Sequence, residues 1–299
     1  MQKPLKIGKC YSLALSPAGT RLAVLARSVS AWDLIERRKL YRCHPCCHPS
    51  DACFSPDGTC LAIKNTAGLI VIVSACDGHL VANFDNASDG EGSNVAYSAC
   101  GEYLADGSWE GWLRVRRAAD GEVIFQQQFP DEMITSVHRD GTGNCWVIEH
   151  QPKTRPRENF SPPAYFSVWE WPFWQKARSV LPYRIHHLRS SALSHDATHL
   201  AIVRQGNPTV LEIYRVPEPA LLGAVSIAIG GTPTTLRWSP DGRWLGSTQE
   251  NRTVIYRLPQ LSIAAEFPLS YACDVAFCSD LKLVVLGDWE QGLVTPFEF

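Results

Sequence analysis

The chain is short of charge and of long apolar runs, and it lacks the common catalytic motifs. Asp, Glu, Lys and Arg make up 19% of its 299 residues, and the net charge is −2. That is below the usual charged quarter. The near balance excludes the global basic field that draws proteins to nucleic acid or anionic membranes. No run approaches the roughly 18 apolar residues of a membrane span. Residues 1–8 lack the apolar stretch of a signal peptide, so a protein of the cytoplasm is expected. There is no Gly-x-Ser-x-Gly elbow, P-loop, dinucleotide fingerprint or His-Glu-x-x-His. Single acids such as Asp106 and Asp274 occur, but nothing in the sequence pairs them with a base. The expectation is a protein that is not an enzyme, with no cofactor and no metal.

Cysteine is plentiful. Eleven of them, an odd number, are scattered through strand-like segments such as those of Cys53, Cys60, Cys273 and Cys278. Without an export signal, buried free thiols in a reducing compartment are the expectation. Hydrophobic residues at 45% are ample for a core.

The organising feature is a repeated turn. Phe54-Ser55-Pro56-Asp57-Gly58 returns as Trp238-Ser239-Pro240-Asp241-Gly242 and more weakly as Leu15-Ser16-Pro17-Ala18-Gly19. Proline presets φ, aspartate caps the turn and glycine accepts positive φ, so each copy joins two paired strands. The serine or its replacement falls at Ser16, Ser55, Ser98, His138, Ser194, Ser239 and Cys278, with gaps of 39, 43, 40, 56, 45 and 39. Each copy continues through three further apolar strands separated by polar or glycine turns. Four antiparallel strands per roughly forty residues is the unit of a propeller blade. The predicted fold class is therefore all-β: a seven-bladed β-propeller of four-stranded antiparallel blades in a single domain, residues 1–299. The seventh copy runs out after its third strand, at Val294-Thr295-Pro296-Phe297. Pro4-Leu5-Lys6-Ile7-Gly8 has the length of the missing strand and is expected to close the ring.

The spacing, the Ser-Pro-Asp-Gly turns and the dipeptide Trp32-Asp33 closing a third strand resemble the WD-repeat propellers, over essentially the whole chain. The family hallmarks are sparse. Other third strands end in Val73-Ser74, Arg116-Arg117, Trp169-Glu170, Tyr214-Arg215 and Tyr256-Arg257, and the Gly-His dipeptide is absent. The family's buried Asp-His-Ser-Trp network is therefore not assumed. The resemblance implies a non-catalytic binding platform: a scaffold, an adaptor, or a dedicated neutralising protein such as a bacterial immunity-type protein. Its partner would be another protein, with no nucleic acid and no membrane, and the chain in isolation is expected to be a monomer. The alternative is an enzyme or small-molecule binder using the central channel.

Three constellations stand out. Ser108-Trp109-Glu110-Gly111 and Asp288-Trp289-Glu290-Gln291-Gly292 both place Trp-Glu between second and third strands. Exposed tryptophan beside a carboxylate is a good partner anchor; the alternative is an indole folded back over its own blade. The excess of the 56-residue gap lies in residues 151–163, where Lys153, Arg155, Arg157 and Phe160 are interleaved with prolines. So long a loop suits an acidic partner surface or a tolerated insertion. The expected partner-binding residues are Trp109, Glu110, Trp289, Glu290, Lys153, Arg155, Arg157 and Phe160. Cys43-His44-Pro45-Cys46-Cys47-His48 has zinc's ligand types, but adjacent Cys46 and Cys47 fit one ion poorly and paired Cys-x-x-Cys knuckles are missing. His186-His187 is a weaker candidate of the same kind.

Overall fold

The computed structural model describes residues 3–84, 92–139, 145–153, 163–170, 175–179, 185–216, 220–230 and 234–299. Its contacts group into two compact units, residues 14–180 and residues 1–13 with 181–299. Seven antiparallel sheets of four strands account for the strands of both.

Sheets 1 to 4 belong to residues 14–180, the first strand of sheet 1 straddling the boundary. Sheet 1 runs Ser12–Leu15, Arg21–Leu25, Val29–Asp33 and Arg38–Cys43. Sheet 2 runs Pro49–Phe54, Cys60–Asn65, Ile70–Ser74 and Leu80–Phe84. Sheet 3 has Gly92–Tyr97, Tyr103–Ser108, Trp112–Arg117 and Val123–Gln128; sheet 4 has Glu132–Arg139, Cys145–Pro152, Tyr165–Glu170 and Gln175–Ser179. In the other unit, sheet 5 is Leu188–Leu193, His199–Arg204, Thr209–Arg215 and Ala220–Ile227. Sheet 6 is Leu236–Trp238, Trp244–Gln249, Arg252–Arg257 and Ser262–Pro268. Sheet 7 joins both chain ends: Ala272–Cys278, Leu283–Asp288 and Gly292–Pro296 are completed by Leu5–Gly8, with Leu5 opposite Val294. The N-terminal strand thus takes the place that the sequence leaves open. Among the described residues, no helix is long and apolar enough to cross a membrane.

Burial follows position in the sheet. Second and third strands such as Cys60–Asn65 and Ile70–Ser74 are buried almost throughout, whereas the outer strand Val123–Gln128 is mostly exposed. A middle strand has a sheet on each face and reads as a continuous apolar run. The cores lie between neighbouring sheets: Leu25, Phe54, Leu61 and Val73 fill one, and Trp244, Phe277, Val284 and Phe297 another.

The recurring serine has a structural task. Its hydroxyl oxygen accepts the backbone N–H five residues on, from Arg21, Cys60, Tyr103, His199 and Trp244 in sheets 1, 2, 3, 5 and 6, at 2.9–3.1 Å. In sheets 2, 5 and 6 it also donates to the turn aspartate, Asp57, Asp196 or Asp241. Sheet 7 keeps the register at Cys278, which pairs with Leu283, but its turn bond runs from Lys282 N to Ser279 O instead. Sheet 4 corrects the expected turn position. His138 pairs with Val147 inside the ladder and its Nε2 meets Ser136 Oγ at 2.7 Å. The first strand of this sheet runs on to Arg139 and, like the second, is eight residues long.

Neighbouring first strands are stitched by one side chain each, four residues before the turn position. Asp51 accepts Val95 N–H, Asn94 accepts Val137 N–H and Asp274 accepts Leu13 N–H. Outer strands share a different device. In sheets 1 to 6 the third-to-outer register skips one residue at the same place, leaving Leu40, Val81, Ile124, Ala177, Leu222 and Ala264 bulged. A bulge twists an edge away from intermolecular pairing.

Candidate functional site

In the unit of residues 1–13 and 181–299, the turn after Leu283–Asp288 is built around one carboxylate. Asp288 is buried, yet nothing cationic is needed to hold it. Its Oδ1 accepts the amides of Glu290 and Gln291 at 2.7 and 2.9 Å, and its Oδ2 accepts Tyr271 N–H at 2.8 Å. The Asp288 carbonyl takes Cys10 N–H at 2.9 Å, and Trp289 N–H donates to Tyr271 O at 3.1 Å. Three separate stretches of chain are thereby fixed at one point. Each delivers an exposed ring: Tyr11 (43% exposed), Tyr271 (47%) and Trp289 (38%). The Tyr271 ring lies nearly parallel to the indole, centroids 6.2 Å apart, and Tyr11 meets it edge-on at 6.4 Å. Glu290 borders an open cleft of about 610 Å³ beside Tyr271. Trp289 leans on its neighbours and still faces water, between the two orientations the sequence allows. Tyr11 and Tyr271 carried no signal of their own; only contact through Asp288 brings them in.

In the unit of residues 14–180, Trp109 and Glu110 occupy the matching turn after Tyr103–Ser108, and Trp109 is 44% exposed. Ser108 caps this turn as Asp288 caps the other, its Oγ accepting Trp112 N–H at 3.2 Å. Lys153 comes to the same place: its Nζ lies 2.8 Å from Glu110 O and 3.4 Å from Glu110 Oε2, and its amide donates to Asp131 O. Arg155, Arg157 and Phe160 lie outside the described residues.

Beneath this turn is a polar chain that the sequence did not announce. His150 Nδ1 is 2.9 Å from Glu132 Oε2, and its Nε2 is 2.6 Å from Ser167 Oγ. Trp169 Nε1 donates to that same Oγ at 2.8 Å, and Tyr165 OH donates to Glu132 at 2.7 Å while its ring stacks on the imidazole at 4.4 Å. All donors are used when His150 carries its proton on Nδ1 and accepts the serine hydroxyl at Nε2. The geometry is that of a serine nucleophile with its base and orienting acid. Its burial is not: His150 and Ser167 are both 0% exposed, and the indole occupies the hydroxyl. The chain acts as a strut across the first, second and third strands, holding Trp169 in the core.

Asp106 and Asp274 are paired with cations rather than bases. Lys64 Nζ sits 3.0 Å from Asp106 Oδ2 and donates to Gly107 O at 2.6 Å. Arg237 meets Asp274 through Nε and a second guanidinium nitrogen at 3.1 and 3.2 Å. Among the described residues, no group of three or more His, Cys, Asp or Glu side chains converges to hold a metal. In the Cys43–His48 stretch, burial together with neighbouring Cys47 and Cys43 pushes the Cys46 thiol up to about 11. His186 and His187 have ring centroids 6.4 Å apart.

No family model matches the chain, and no curated protein matches it. Among solved structures, it is similar to Kuenenia stuttgartiensis hydrazine synthase at 12% identity, with a TM-score of 0.79 over 96% of this chain and 95% of that one. At that identity the likeness speaks for the fold: seven four-stranded antiparallel blades of a β-propeller.

Proposed function

We propose that the protein is a non-catalytic, protein-binding propeller of the WD-repeat kind, acting in the cytoplasm as an adaptor or as a dedicated neutralising partner. The observation that carries this reading is the platform of Tyr11, Tyr271 and Trp289, presented to solvent by a buried aspartate that fixes the backbone beneath it. Exposed aromatics of this size are the usual anchors of an interface. Because the turn is already ordered, little conformational entropy is lost when a partner docks. The Trp109–Glu110–Lys153 turn supplies a second, more polar contact. The buried Glu132–His150–Ser167–Trp169 chain supports a structural rather than a chemical use of the conventional catalytic residue types.

The test is quantitative affinity capture with the intact protein, followed by binding titration of the captured partner. Tyr271→Ala/Trp289→Ala, checked for an unchanged thermal transition, is expected to weaken that partner at least tenfold. Trp109→Ala is expected to have a smaller effect. Equal affinity for the wild type and the double variant overturns the assigned surface.

A further inference from the structure

Residues 14–43 carry six cations, Arg21, Arg27, Arg37, Arg38, Lys39 and Arg42, against Asp33 and Glu36. One blade thus holds four net positive charges in a chain whose net charge is −2. Its outer strand, Arg38–Cys43, turns Arg38, Lys39 and Arg42 to solvent, and Arg27 is exposed in the turn beside it. The bulge at Leu40 sets Lys39 opposite Trp32 and Arg42 opposite Ser30. Residues two apart share a face of a strand, and Trp32 Nε1 donates to Ser30 Oγ at 3.3 Å. Lys39 and Arg42 therefore project on one side. Lys39 Nζ stands 4.9 Å over the Trp32 ring, and Arg42 Nε donates to Ser28 Oγ at 2.7 Å. Arg38 is held by Glu36 next to them. The result is a stripe of cations with partly fixed geometry.

The other outer strands provide an internal comparison. Leu80–Phe84, Val123–Gln128 and Ala220–Ile227 contain no charged residue, and Ser262–Pro268 contains only Glu266. Gln175–Ser179 has Lys176 and Arg178. Lysines on an edge strand commonly guard against aggregation. Here the bulge already does that in sheets 1 to 6, and four of these edges keep exposed aliphatics, Leu80, Val123, Leu221 and Ile263 among them. Edge protection does not account for the charge of blade 1.

We propose that this stripe docks a carboxylate-rich, extended segment of a partner protein, through residues other than those of the aromatic platform. Arginine's planar fork suits carboxylates, and carboxylates on alternate residues of an extended segment repeat at about 6.5–7 Å. Nucleic-acid sites typically neutralise about 6–10 phosphates, more than Arg27, Arg38, Lys39 and Arg42 provide.

The experiment is fluorescence anisotropy at low salt with a fluorescein-labelled eight-residue peptide of alternating Glu and Thr. The comparison is the intact protein against Arg27→Gln/Lys39→Gln/Arg42→Gln, with a Lys–Thr peptide as control. We expect binding by the wild type, at least tenfold loss in the triple variant with an unchanged thermal transition, and steep weakening with salt. Trp289→Ala is expected to bind the peptide as the wild type does, which separates this site from the platform. Any of three results overturns the proposal: no binding by the wild type up to millimolar peptide, equal binding by the triple variant, or tighter binding at the stripe by a 12-base-pair duplex or phosphatidylserine vesicles.

Discussion

Lys64 and Asp106 meet at 3.0 Å with both side chains withdrawn from water, 1% and 4% exposed. Arg116 stands 3.9 Å from the other carboxylate oxygen. Removing one partner of such a pair strands a buried charge. Asp106→Ala is therefore expected to cost about 3–5 kcal/mol, read as a fall in the urea midpoint. Lys64→Met/Asp106→Leu, which removes both charges and keeps volume, is expected to lose less than the single variant.

The serine of the repeated turn can be tested by deletion of one oxygen. Ser239→Ala leaves the buried Trp244 amide without its acceptor at 3.0 Å and removes one of Asp241's donors, at 2.6 Å. A loss of about 1–3 kcal/mol is expected from chemical denaturation. Cys278→Ala, where no hydroxyl serves the turn, is expected to cost less than Ser239→Ala.

Two glycines with similar φ separate strain from crowding. Gly242 has φ +69° and open space where a Cβ would stand; Gly78 has φ +75° and the Tyr41 ring at 2.6 Å from that position. Gly242→Ala is expected to cost about 1–2 kcal/mol from the left-handed backbone alone. Gly78→Ala must also displace the Tyr41 ring and is expected to lower the thermal transition further.

Acid stability follows from the turn aspartates. Hydrogen bonds from the Ser55 hydroxyl, then from the Thr59 amide and hydroxyl, hold Asp57 below the ordinary value of 3.8. Asp196 and Asp241 are also lowered, their serine and backbone hydrogen bonds outweighing burial. A carboxylate lowered on folding contributes stability that is complete above its unfolded value and is lost as pH falls through its folded value. Urea midpoints are expected to hold down to about pH 4 and to drop steeply below it. Asp57→Asn is expected to flatten part of that drop.

Thiol reactivity is expected to divide by burial. Cys47, Cys76 and Cys100 are exposed, whereas Cys10, Cys273 and Cys278 are buried. Desolvation raises Cys10, Cys53 and Cys278, and thiolate is the reacting form. Iodoacetamide at pH 8, read by peptide mass spectrometry, is expected to label the exposed three first.

The blades were legible because their punctuation is local. Ser55, Pro56, Asp57 and Gly58 make one turn among themselves, and the same chemistry recurs at Ser194 and Ser239. Where the sequence misled, at His138, an Asp-Gly pair follows closely, and only pairing with Val147 reveals that the strand runs on. The aromatic platform was half readable. Trp289 advertises itself, but Tyr11 and Tyr271 reach it through the backbone contacts of Asp288, and nothing in their own neighbourhoods foretells that. The strut through His150 and Ser167 was hidden for the same reason, its members coming from three strands. The cationic stripe needs the bulge at Leu40 before Lys39 and Arg42 fall on one side.

The pairing of Leu5–Gly8 with Gly292–Pro296 imposes an order on biosynthesis. Six sheets can assemble from contiguous chain as it leaves the ribosome. The seventh cannot, since its outermost strand precedes all six other sheets in the chain and its ladder partner follows them. At about 5–20 residues per second, residues 5–8 wait roughly 15–60 s for that partner. During that interval residues 5–8 lack their ladder partner and are accessible to chaperones and proteases, and any mutation slowing the last blade lengthens the exposure.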